Sequence, residues 1–145
     1  MDNAIFKKMK FKDDMIASAL FAPPEYPKHD EFISKTKGKS QNKYDFVHLF
    51  ITSKTELAER LESAANTVAE NGMFWLSYPK SVKAQKYDVN RSIIWDYVIP
   101  FGWHPVAQVS LSDTWSAMRL KRNEPGTTYE RPGKKQQNSS EKSTP

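Results

Sequence analysis

The sequence predicts an open α/β fold of five strands, four of them parallel and one antiparallel, with helices packed on the sheet. Three observations carry that prediction. Met15 to Phe21 and Asp45 to Ile51 are short apolar runs bounded by turn residues, as strands covered on both faces read. Between the second run and the apolar stretch Met73 to Ser77 lies one amphipathic helical segment, which makes a βαβ unit. Finally, Val106 to Ser110 and Trp115 to Lys121 are separated only by Leu111 to Thr114, a gap that forces an antiparallel pair.

Each element has a local reason. Pro23 and Pro24 cut off the first strand, because proline cannot donate to a ladder. The second strand is rich in β-branched and aromatic residues, and His48 within it reads as a hydrogen-bonded core residue. Ser53 followed by Glu56 is a capping box, from which Leu57, Leu61, Ala64, Ala65 and Val68 fall on one helical face. Asn71-Gly72 predicts the end of that helix, glycine taking a left-handed cap without steric cost. A second helix fits Asn90 to Ile99, with Ile93, Ile94, Tyr97 and Val98 on its apolar side and Pro100 closing it.

Composition narrows the function. The chain has 145 residues, the size of one domain, which we place at residues 1–122. Residues 123–145 are rich in Pro, Gly, Ser, Gln and charge and read as a disordered tail. No window approaches the ~20 apolar residues of a membrane span, and the first residues lack a signal peptide, so a cytoplasmic protein without membrane contact is expected. Without cysteine there is no disulfide, thiolate nucleophile or cysteine-zinc site. His29, His48 and His104 show no metal-binding spacing, so no metal is expected.

The balance of 22 Lys+Arg against 17 Asp+Glu gives a net charge of +5. The excess lies in two acid-free stretches, one carrying Lys35, Lys37, Lys39 and Lys43, the other Lys80, Lys83 and Lys86. Solvated loop lysines account for it. With no helix-turn-helix, RNP or zinc signature, nucleic acid is not the expected partner.

The stretch from Tyr44 to Lys80 with G-x-x-W-x-x-x-P-K at Gly72 to Lys80, followed by D-x-W-S-x-x-R at Asp113 to Arg119, resembles a family of small bacterial proteins of unknown function. The same segments resemble more distantly the second half of class I methyltransferases, a Rossmann-like fold. That resemblance implies the sheet order 1-2-3-5-4 with strand 5 antiparallel and helices on both faces. One departure matters. The turn after the first strand, Phe21 to Tyr26, has no glycine where the methyl donor's turn needs bare backbone, and no phosphate-loop pattern occurs anywhere. No cofactor is expected, and S-adenosylmethionine is not expected to bind.

In an open parallel sheet, ligands sit outside the carboxyl ends of the strands. That edge gathers Glu25 and Tyr26 after strand 1, Ser53 after strand 2, Ser77, Tyr78 and Lys80 at the end of strand 3, and Asp113 and Trp115 of the hairpin. These eight are the expected ligand-binding residues. Ser53 also serves as a helix cap, Asp113 suits a turn and Trp115 reads as core. The chain thus reads as a non-enzymatic binding or regulatory module for a small anionic ligand or a protein partner. A weak nucleic-acid binder and a minimal hydrolase or transferase with a noncanonical site are the alternatives.

Overall fold

The computed structural model describes residues 1–27 and 43–131. Five strands form one sheet: β1 (Ala17–Leu20), β2 (Tyr44–Phe50), β3 (Val68–Pro79), β4 (Trp103–Ser110) and β5 (Trp115–Arg122). Their order is β1-β2-β3-β5-β4. β1, β2 and β3 run parallel, and β5 runs antiparallel to both β3 and β4, so β4 points the same way as the first three. The reversed strand is the one the short hairpin gap predicted, and the order is the one the resemblance to class I methyltransferases implied. Most of the lysine-rich loop between β1 and β2, together with His29, lies outside the described residues.

Strand alternation divides the core into two layers. On one face Val47, Leu49, Phe74, Leu76, Met118 and Leu120 pack beneath two helices, α2 (Lys54–Ala65) and α3 (Arg91–Val98). On the other, Phe46, Phe50, Trp75, Trp115 and Ala117 are covered by a short helix, α1 (Ala4–Lys8), through Ile5, Phe6 and Met9. No helix among the described residues is long and apolar enough to cross a membrane.

The predicted α2 is too long. It stops at Ala65, with Thr67 bonding back to the Ala64 carbonyl through both its amide and its hydroxyl, and Val68 already belongs to β3. Gly72 therefore lies inside a strand, and the left-handed residue is Asn71, at φ 66°. Tyr44 pairs with Val68 but Phe46 pairs with Met73, so β3 carries extra residues in a bulge here. A Cβ at Gly72 would lie 2.9 Å from the carbonyl oxygens of Ala69 and Tyr44, so glycine is required by close backbone approach. α1 was not foreseen either. Its five residues show too little periodicity, and its amphipathic face exists only against the sheet.

Residues 123–131, expected to be free tail, touch the domain. The Tyr129 ring stacks on His104 at 3.9 Å, and Arg131 pairs with Asp96 at 3.2 Å. The rest of that segment lies outside the described residues.

Candidate functional site

The carboxyl edge of the sheet is built from three loops held to one another. In the turn after β1, Tyr26 donates its amide to the Pro23 carbonyl, and the Trp115 indole donates to Glu25 Oε2 at 3.0 Å. That bond ties the first turn to the hairpin. Trp115 itself is buried, edge-on to Phe50 with ring centroids 5.0 Å apart, which agrees with its core reading.

Lys80 closes the next gap. Its Nζ donates to Ser110 Oγ at 2.6 Å and to the Ser112 carbonyl at 2.7 Å, while its amide donates to the Thr114 carbonyl. The expected anion-binding cation is therefore committed to the hairpin. Asp113 stands exposed at the hairpin tip, where Ser112 Oγ accepts the amides of Thr114 and Trp115 in a serine turn.

The start of α2 is similarly committed. Ser53 Oγ accepts the Glu56 amide, as the capping box predicted, and Asp88 Oδ1 accepts the Lys54 amide. Glu56 reaches back to the amide and hydroxyl of Thr52 and pairs with Arg60 at 3.3 Å. Two carboxylates thus already occupy the positive end of the helix, the place a small anion would take.

Beneath the edge runs a chain of three side chains. Tyr26 Oη lies 3.0 Å from His48 Nδ1, and His48 Nε2 lies 2.6 Å from Ser77 Oγ. His48 and Ser77 are fully buried. Burial disfavours the imidazolium and lowers the His48 pKa to about 3, so the ring is neutral, with one nitrogen donating and the other accepting. Burial also raises the Tyr26 phenol above its ordinary value. The expected core histidine is observed, and its neighbours explain why a polar ring is tolerated in an apolar strand.

The eight expected residues thus separate. Glu25, Tyr26, Ser77, Lys80 and Trp115 converge, through His48 and the hairpin. Tyr78 faces the other layer, level with Ser116; burial raises its pKa against the opposing effects of Ser116, Arg91 and Gln108. Ser53 acts as a cap, and Asp113 projects alone into solvent. Sequence reasoning missed Phe21. It directly follows β1, adopts φ 60°, is 61% exposed, and carries the Arg60 guanidinium 3.7 Å from its ring centroid. An aromatic residue wedged between a strand and Pro23-Pro24 was the signal available; nothing in the sequence pointed to Arg60.

No family model matches the chain, and no curated protein matches it, so kinship with the family of unknown function is not supported by a match. Among solved structures, a chain described as "DhpI-SAH complex structure" is 12% identical, with a TM-score of 0.42 over 75% of this chain. The match spans 66% of that chain, and a likeness so loose does not bear on activity.

Proposed function

We propose that the protein is a non-catalytic binding module that presents the carboxyl edge of its sheet to a protein partner. The observation that carries this reading is Phe21. A bulky side chain at positive φ is strained by about 1–2 kcal/mol, and such strain persists where the surroundings impose it. Here the strained residue turns an aromatic ring outward at the edge where α/β sheets bind. Arg60 beneath it is fixed by Glu56 and by the Phe50 carbonyl at 3.1 Å. A preorganised aromatic and arginine pair is the kind of anchor that dominates protein interfaces. The complementary partner offers an apolar side chain for the exposed ring.

A small anionic ligand at this edge is less well supported, because Lys80 and the α2 amides already have partners. A minimal hydrolase or transferase has in its favour the 2.6 Å contact between Ser77 and His48, but both residues are fully buried and a nucleophile has to reach its substrate. A methyl donor of the class I methyltransferase kind has no glycine turn to receive it between Phe21 and Tyr26.

The test is a photoreactive phenylalanine analogue at position 21, compared with the same analogue at Phe101, which is half exposed at the opposite edge. The reading predicts one dominant cross-linked protein from position 21, suppressed by excess unlabelled protein and by Arg60→Ala, and absent from position 101. Equal, diffuse labelling from both positions would refute it.

A further inference from the structure

At the amino edge of β3 and β4, an open cleft of about 600 Å³ lies on the sheet, lined among others by Gly72, His104, Val106, Arg119 and Lys121. The two arginines that line it differ sharply. Arg122 is committed: it donates to the Val68 carbonyl at 3.0 Å and to that of Ala69 at 3.5 Å, and lies over the Trp103 ring at 4.7 Å. Arg119 is not. Its Nε is shielded from solvent and has no hydrogen-bond partner. Glu70 and Glu124 also line the cleft, but neither forms an ion pair with Arg119 among the described residues.

A second orphan donor belongs to the residue paired with Arg119 on the neighbouring strand. Trp75 pairs directly with Arg119 across β3 and β5, so the two side chains share a face, and the buried Trp75 Nε1 also lacks a partner. Buried donors without acceptors cost free energy and call for an explanation. Of the two, Arg119 lines the cleft, and a guanidinium without an acceptor is satisfied by a group carrying negative charge. Lys121 adds a further positive charge on the same face, and His104 pairs with it across β4 and β5. Asn123 Nδ2 donates to the Ile99 carbonyl, which turns Oδ1 toward His104 and makes Nδ1 the proton-bearing nitrogen of that ring.

We propose that this cleft is a binding site for a small oxyanion, a phosphate or carboxylate group of a soluble ligand, with Arg119 as its principal holder. Arginine suits the role because its planar fork grips two oxygens at once, whereas lysine offers a point charge. The site lies at the opposite edge from Phe21 and stands whether or not the partner surface does.

The experiment titrates inorganic phosphate and, separately, citrate into the full chain at constant ionic strength, with chloride as reference, following the indole NH resonance of Trp75 (assigned with Trp75→Phe). The proposal predicts a saturable shift with at least one of the two. Saturation by phosphate alone identifies a phosphate ligand, by citrate alone a carboxylate ligand, and by both the shared oxyanion. Arg119→Lys, with folding confirmed by its unfolding curve, weakens the affinity at least tenfold, while Lys7→Met, which removes an exposed charge on α1, leaves it unchanged. No saturation beyond chloride, or equal affinity in Arg119→Lys and the wild type, overturns the proposal.

Discussion

His48 Nε2 and Ser77 Oγ lie 2.6 Å apart on adjacent parallel strands, both sealed from solvent beneath the edge of the sheet. A neutral imidazole between two hydroxyls is stable there only while it stays neutral. In the unfolded chain the ring takes up a proton below its ordinary pKa of about 6.5, whereas in the folded protein it resists protonation down to about 3. Its contribution to stability is therefore complete above about pH 6.5 and is lost as the pH falls toward 3. Urea unfolding across this range should show stability falling by up to about 1.4 kcal/mol per pH unit on account of this one group. His48→Asn should be less stable at pH 7 and show a shallower dependence between pH 6.5 and 5. An unchanged slope in that variant would mean that His48 titrates normally.

Lys80 joins two elements at the lip. Lys80→Ala should cost about 1–2 kcal/mol, since it removes two charge-assisted hydrogen bonds to the hairpin. Free surface lysines are replaced within about 0.5 kcal/mol. Chemical denaturation separates the two, and a loss below the second figure would show that the bonds do not hold the hairpin in solution.

Gly72→Ala should destabilise by about 1–3 kcal/mol even though alanine is the better residue for a strand. The clash is with two backbone oxygens, which cannot rotate away as a side chain can. A neutral or stabilising result in thermal unfolding would mean that the bulge opens readily.

Truncation after Arg122 should lower the melting temperature by a few degrees, through loss of the Tyr129 stack on His104 and the Arg131 pair with Asp96. The double variant Tyr129→Ala, Arg131→Ala should reproduce that loss by calorimetry. If both proteins melted with the wild type, the segment would be as independent of the domain as its composition suggests.

The sheet was legible because its signals are local: β2 and β5 are compact apolar runs, the Leu111–Thr114 gap permits one geometry, and Ser53 with Glu56 marks a helix start within four residues. The α2 end was misread because Val68 continues the apolar helical face while also suiting a strand, and only its pairing with Tyr44 decides between them. Which loops share the carboxyl edge was legible, since topology alone puts the carboxyl ends together. Which of its polar groups are free was not legible. Lys80 meets Ser110 and Glu25 meets Trp115 across 30 and 90 residues of sequence, and no local pattern encodes such a meeting. The Arg119 and Trp75 pairing depends likewise on the register of β3 against β5.

The central claim is that Phe21 is held outward for a partner and not for the fold, and the unfolding free energy of Phe21→Gly tests it most directly. Glycine adopts positive φ without strain, which offsets the loss of an exposed contact with Arg60 that is itself worth about 0.5–1 kcal/mol. Glycine also loses about 0.5–1 kcal/mol more conformational entropy on folding, so the account predicts a variant within about 1 kcal/mol of the wild type. A loss of 2 kcal/mol or more would show that the ring packs into the protein, and would contradict the claim.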